Sequence, residues 1–293
     1  MGNDMPIAPI FASPCDLANR LPTMIAEFLD IENSLKRRFR EDSITDILVA
    51  SMLSLPGNDV IVQTPNEVKT GGDFDLAIVD PLVGDSVQFR IQAKRLTPHA
   101  GNWALGSYRE LAYPHNSGNQ SRLLMAGVGR ETIPTIPLYA FYNPARTCTA
   151  SGAIIGGIEL ASAVDIRDRI KMMVRVKPKR LPFKRIGSLQ PLFFPLADIL
   201  CAPSSDVGTR TMASPRDVRR TIESAIETRS GRYGRHELEG ETRGAVADQR
   251  PRAPLRVLDS LPANVRQAVE RRAQRIIPAR VKRPRIILIS EAR

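Results

Sequence analysis

The chain has 293 residues, 42% of them hydrophobic and 25% charged, enough apolar material for one large domain or a domain with appendages. Its net charge of +11 and pI near 10.0 favour a polyanionic partner, nucleic acid before an anionic membrane, and no run approaches the roughly 20 apolar residues of a membrane span. Cys15, Cys148 and Cys201 are far apart, as are His99, His115 and His236, so the sequence offers neither a CxxC pair, a disulfide framework nor a His/Cys zinc site.

Cys148 reads as a buried structural thiol. The first residues lack the basic start and long apolar core of a signal peptide, which makes cytoplasmic residence the default expectation.

Residues 16–55 read as mostly helical. Leu21, Ile25, Phe28 and Leu29 have helical spacing, and a second helix is expected from Ser43, where Ser43-Ile44-Thr45-Asp46 has the form of a capping box. Ile44, Ile47, Leu48, Met52 and Leu55 then form one apolar stripe, closed by Pro56-Gly57-Asn58-Asp59. Residues 60–63 form a short strand. The stretch 70–96, TGGDFDLAIVDPLVGDSVQFRIQAKRL, reads as two strands joined through the turn residues Asp80-Pro81 and Gly84-Asp85.

Beyond Leu96 a polar, glycine-containing stretch carries the only tryptophan, Trp103. A helix is expected from Gly118 or Asn119, with Leu123, Leu124 and Val128 on one face. Residues 137–143 read as a buried strand ending in a turn, residues 152–175 as a further apolar and helical section, and residues 193–200 as a short amphipathic helix or strand. The composition shifts at Pro203. Residues 203–256 are rich in Ser, Gly, Pro, Arg and Glu and read as a basic, partly disordered linker with a helix at 215–228. Residues 261–277 are expected to form a helix with exposed arginines, and residues 286–289 a strand that adds to the core sheet. The organisation expected is a domain over 1–202, a linker over 203–256, and a helix and strand over 257–293 that pack back on the core.

Strand side chains alternate faces with a period of two. Asp73 and Asp75 therefore share one side of the first strand in 70–96, and Gln92 and Lys94 one side of the second. Phe74, Leu76 and Ile78, with Phe89, Ile91 and Ala93, take the opposite sides. A carboxylate, an amide oxygen and an ammonium at one sheet edge suit phosphodiester hydrolysis. Mg²⁺ takes oxygen ligands and keeps several waters, a metal-bound water is an activated nucleophile, and a lysine stabilises charge building on the phosphate. On that chemistry Asp73 or Asp75 holds Mg²⁺ (or Mn²⁺), Gln92 adds its amide oxygen, the Ala93 carbonyl is a further ligand, and Lys94 acts on water and phosphate. The same letters also arise from polar alternation on a half-exposed strand and from aspartates beside a Gly-Gly turn.

GGDFDLAIVDPL followed by FRIQAKRL resembles the PD-(D/E)xK, restriction-endonuclease-like superfamily, in the variant where glutamine replaces the acidic residue of the ExK element. It is similar to the Mrr-type restriction endonucleases, which pair a Gly-Gly-x-Asp strand with a QxK strand. It is more similar still to an uncharacterised bacterial group of restriction-endonuclease-like proteins, on Glu41 ahead of Ile44-Thr45, Gly72-Asp73, Gln92 to Arg95, Gln120, and residues 137–143. The resemblance covers roughly residues 35–145. It implies an α/β fold with a mixed central sheet flanked by helices, here with a basic C-terminal extension. It also implies a Mg²⁺-dependent phosphodiester hydrolase, a deoxyribonuclease first, acting in defence against foreign DNA. Its site would comprise Asp73, Asp75, Gln92 and Lys94, approached by Glu41 from a helix start, with Arg95 and Gln120 at the nucleic acid.

Independently of the resemblance, the arginines of 210–285, Arg271, Arg272 and Arg275 among them, are candidates for nonspecific phosphate contacts. No helix-turn-helix or zinc-finger pattern points to sequence-specific reading. Double-strand cutting with one site per chain implies a homodimer. Two other readings remain: a non-catalytic nucleic-acid-binding module on the same fold, because glutamine removes a charge from the metal site, and a defence-complex subunit whose basic tail binds a protein.

Overall fold

The computed structural model describes residues 8–35, 39–65, 73–108, 111, 123–150, 154–176, 184–201, 212–236, 261–279, 281 and 283–290. Helix α1 (Pro14–Leu35) opens where the Asp16 N–H donates to Ser13 Oγ at 3.1 Å, satisfying one free helix-end donor. Leu21, Ile25 and Leu29 are buried as their spacing predicts, but Phe28 is 40% exposed. Helix α2 (Glu41–Leu53) starts two residues before Ser43. Its N-cap is Arg40 with no side-chain cap, and Glu41 and Asp42 place carboxylates in the first turn, where the helix dipole favours them. The stripe Ile44, Leu48, Met52 and Leu55 is buried, with Ile47 packed at its margin.

Strands β1 (Val60–Pro65), β2 (Asp73–Val79) and β3 (Ser86–Arg95) follow. Asp80 Oδ1 accepts the Leu82 and Val83 N–H groups at 2.9 and 3.1 Å, and Gly84 takes φ 81°, which turns β2 back into an antiparallel pair with β3. The stretch around Trp103 is a second hairpin, β4 (Thr97–His99) and β5 (Asn102–Ser107), where the sequence suggested only a polar segment. Its two turn residues, Ala100 and Gly101, both have positive φ (48° and 78°), the geometry of a two-residue primed turn. The helix expected from Gly118 or Asn119 begins outside the described residues. Residues 123–125 are helical, Gly127 at φ 72° stops them, and Val128 falls in a short 3-10 turn.

Next come β6 (Thr135–Tyr142), α3 (Ala145–Ala150), β7 (Ile158–Ser162), α4 (Ala163–Val176), α5 (Ile186–Leu189), β8 (Phe194–Pro195) and α6 (Ala197–Leu200). Then follow α7 (Pro215–His236), α8 (Ala263–Glu270), β9 (Ile276–Ala279) and β10 (Arg285–Ile289). The single helix expected over 261–277 is thus a short helix, a 3-10 turn and a strand. The break is Arg275, at φ 50°, whose guanidinium donates to the Leu53 and Leu55 carbonyls at the end of α2. The expectation of unpaired cysteines is corrected as well. The start of α1 lies beside the end of α6, and Cys15 and Cys201 form a disulfide with Cα atoms 4.6 Å apart, across a sequence separation of 186. That separation hides the pair from any reading of local spacing. The Cys148 side chain lies outside the described residues.

The protein has a mixed α/β fold built on one eight-stranded sheet in the order β8-β7-β6-β3-β2-β10-β1-β9. Strand β10 is antiparallel to β1 and parallel to β2, and β6 is parallel to β3. Helices flank the sheet. On one face Val218, Ile222, Ala225 and Ile226 of α7 share a core cluster with α1 and α2. The described helix of the 203–256 segment is therefore part of the core, capped where the Asp217 N–H donates to Ser214 Oγ. Residues 202–211 and 237–260 lie outside the described set. Among the described residues no helix is long and apolar enough to cross a membrane.

Candidate functional site

Period-two alternation gives β2 and β3 one apolar face up to Arg95. Phe74, Leu76, Ile78, Phe89, Ile91 and Ala93 all join the cluster beneath α1, α2 and α7. The other face is divided. Tyr139, Phe141 and Ala161 pack with Ile166 and Ile170 of α4, while Ile61, Ala77, Val79 and Ile287 pack with Val265 and Ala268 of α8. Between these clusters runs a buried polar band: Gln63, Arg285, Asp75, Gln88, Arg90, Gln92 and Lys94. Strand register orders it. Gln63 is opposite Arg285, Arg285 opposite Asp75, and Asp75 opposite Arg90. One step along the hairpin, Asp73 is the register partner of Gln92.

At the end of β3 the Lys94 side chain is 4% exposed, and its Nζ donates to Glu41 Oε2 at 3.4 Å. Glu41 Oε1 accepts the Arg95 backbone N–H at 2.9 Å. The first residue of α2 is thereby fixed to the end of β3, which accounts for a helix that begins at Glu41 rather than behind Ser43. A buried ammonium left without a partner would be costly, and Glu41 supplies its counter-charge.

Asp75 has different company. Its Oδ1 lies 3.5 Å from Arg90 Nε and its Oδ2 4.0 Å from Arg285 Nη2. Arg90 also pairs with Glu131 and donates to the Ala126 carbonyl at 3.0 Å. Burial pushes the Asp75 carboxyl above its usual range, outweighing the opposite pull of Arg283, Arg90 and Arg285; burial likewise lowers the pKa of Arg285. The raised value fixes a sign. Between the ordinary carboxylate value, about 4, and the raised folded value, the folded protein binds more protons than the unfolded chain. Ionisation of Asp75 therefore removes stability as pH rises through that window. Asp75→Asn lacks this titration, so wild type should lose stability relative to the variant as pH increases from about 4, read from urea unfolding at a series of pH values. A difference that stays constant across the window would show that the arginines offset the burial completely.

The expected site residues thus separate into groups. Glu41, Gln92 and Lys94 gather at one end of the hairpin, and Asp73 joins them by backbone register. Asp75 belongs to a cluster of guanidinium groups. Arg95 turns to Glu32, with Nη2 2.8 Å from Oε2, and Nη1 donates to the Phe39 carbonyl. Arg275 caps the end of α2. Arg271 is exposed and Arg272 half-buried beyond α8, and Gln120 lies outside the described residues. Arg90 and Gln63 were missed by the sequence reading, which took Arg285 only as one of the arginines of 210–285 for phosphate contacts and not as a partner of Asp75. Arg90 carried a signal, because it shares the two-residue spacing of Gln92 and Lys94. Arg285 carried none, since its neighbour β2 is remote in sequence.

Backbone register sets Asp73 opposite Gln92, and a carboxylate with an amide oxygen are donors of the kind that suit Mg²⁺ or Mn²⁺. Among the described residues no three His, Cys, Asp or Glu side chains come together to hold a metal. A family model described as a family of unknown function (DUF6615) matches residues 14–293. No curated protein and no solved structure matches the chain.

Proposed function

We propose that this chain, which belongs to the DUF6615 family of unknown function, is a Mg²⁺-dependent nuclease on a restriction-endonuclease-like fold. The observation that carries the reading is the hairpin register: Asp73 opposite Gln92, with Lys94 two residues on and held by Glu41. The mixed sheet flanked by helices, with β2 and β3 antiparallel and β6 parallel to β3, supports the fold assignment.

Asp73 and Gln92 would hold Mg²⁺ (or Mn²⁺), with the Ala93 carbonyl as a further donor. When bound, the ion supplies Lewis acidity and a water of lowered pKa. Lys94 offers a fixed positive charge to the phosphate oxygens as negative charge builds on them, and its burial strengthens that interaction over the same contact in water. Glu41 holds the ammonium in place and is a positioning residue. Arg271 and Arg272 add sequence-independent attraction for the nucleic-acid backbone. Attack of water on phosphorus breaks one ester bond and leaves a phosphomonoester and a free hydroxyl. DNA is the favoured substrate, and defence against foreign DNA the favoured setting, on the resemblance to restriction-type proteins.

Gln92 brings no charge to the metal site, which favours one rival, a nucleic-acid-binding module without catalysis. Labelled plasmid, linear duplex, single-stranded DNA and RNA, each incubated with Mg²⁺ or Mn²⁺, separate the two. Wild type is expected to cut at least one of them only with metal, and Asp73→Ala to lose both cutting and calorimetric Mg²⁺ binding. Equal DNA binding by both proteins, with no cutting under either metal, would establish the rival.

A further inference from the structure

Gln63 ends the polar band, and beyond it β1, β9 and α8 part to leave a cavity of about 380 Å³, within the usual size of small-molecule sites. Gln63 is 3% exposed. Its Nε2 makes a long 3.4 Å bond to the Asn264 carbonyl, and its buried Oε1 has no donor among the described residues. An unmet buried acceptor is destabilising, and a ligand N–H that reached it would remove that cost.

The remaining lining narrows the ligand. Asn264 and Gln267 add two more amide side chains from α8, and Arg271 adds a guanidinium; among the described residues no carboxylate lines the cavity. Arg271 donates to the neutral Gln274 at 2.7 Å, so that bond leaves its charge available to an anion. Ile277 and Pro278 supply an apolar wall. A side-chain amide presents a donor beside an acceptor, which matches the N7 and N6 amine edge of adenine, and a guanidinium matches phosphate.

We propose that this cavity is a nucleotide-binding site, taking an adenine base against Gln63 and Gln267 and its phosphate against Arg271. It is separate from the Asp73–Gln92–Lys94 end of the hairpin and shares only Arg271 with the backbone contacts of the nuclease reading, so its occupancy is read without any cleavage and its own mark is the dependence on Gln267. The ligand is a free adenine nucleotide or an adenine nucleotide of a strand, and the chemistry recognised is the same.

Calorimetric titration of the full chain with AMP, inorganic phosphate and a short oligo-dA tests the site, alongside Arg271→Ala and Gln267→Ala. Both residues are exposed, so the variants should melt with wild type. The expected result is saturable binding weakened about tenfold or more in Arg271→Ala, as for loss of a charged hydrogen bond, and weakened also in Gln267→Ala. AMP binding should persist in Lys94→Ala, which separates this cavity from the hairpin site. AMP binding assigns the free nucleotide; oligo-dA binding alone, with the same dependence on Arg271 and Gln267, assigns the strand. The proposal is overturned by no binding of either ligand, by phosphate binding as tightly as AMP, or by affinities unchanged in both variants.

Discussion

Lys94→Ala is expected to lower metal-dependent cleavage by about 10²–10³-fold, the usual cost of deleting one fixed group that stabilises transition-state charge. The side chain is almost wholly buried, so the ammonium has one place to be, set by Glu41 Oε2 at 3.4 Å. Its removal leaves Glu41 with the Arg95 N–H and a helix N-terminus, both favourable to a carboxylate, and Glu41 is itself partly open to solvent. The fold should therefore survive while the reaction slows. Lys94→Arg should not restore the rate, because a planar fork cannot replace a compact ammonium in a closed space. Initial rates on plasmid at saturating Mg²⁺, with circular dichroism as the control, measure both effects. Wild-type rates in Lys94→Ala would remove the lysine from the chemistry.

The neighbouring residue is expected to behave in the opposite way. Arg95→Ala should lose about 3–5 kcal/mol of folding stability, the typical result of stripping one partner from a buried ion pair. Glu32 on α1 is 1% exposed, and the Arg95 guanidinium 2.8 Å away is its cation among the described residues. Domains are stable by only about 5–15 kcal/mol, so the loss would be conspicuous in urea unfolding. Replacing the pair together, as Arg95→Met with Glu32→Met, should recover most of it, because no charge is then left buried. An Arg95→Ala variant with an unchanged midpoint and weakened DNA binding would return Arg95 to the nucleic-acid surface. The two adjacent residues of QAKR thus separate a group assigned to chemistry from one that holds α1 to the sheet.

That separation also marks how far the sequence could be read. The hairpin of β2 and β3 was legible because alternation and turn chemistry agree: Phe74, Leu76, Ile78, Phe89 and Ile91 face one core, and Asp80 with Gly84 makes the turn. The α2 stripe and β6 were legible for the same reason. The start of α2 was not, because Ser43 and Asp46 form a plausible local cap while the actual boundary is set by Glu41 reaching Lys94 and Arg95 across the fold. Arginine count suggested phosphate contacts throughout the second half, yet Arg275 is directed at the carbonyls of Leu53 and Leu55. Composition reports charge and not its direction. At the candidate site, the spacing of Asp73, Asp75, Gln92 and Lys94 was visible in the letters. That Asp75 meets Arg285 could not be, since the run of isoleucines in β10 signals burial without naming neighbours.

The position of β10 has a temporal consequence. It follows every other described strand of the sheet in sequence, yet it lies between β1 and β2, and among the described residues the sheet's two parts are hydrogen-bonded to each other only through it. A chain emerging from the ribosome exposes the β2–β3 hairpin early, while the strand that unites the sheet is still unmade. Until residues 285–289 arrive, β1 and β2 each keep an open edge, and Asp75 lacks Arg285. Closing a sheet with so remote a segment is slow and places the joining step late. Order of synthesis therefore withholds the finished polar band, and any hydrolytic capacity it supports, until translation has passed Ile289.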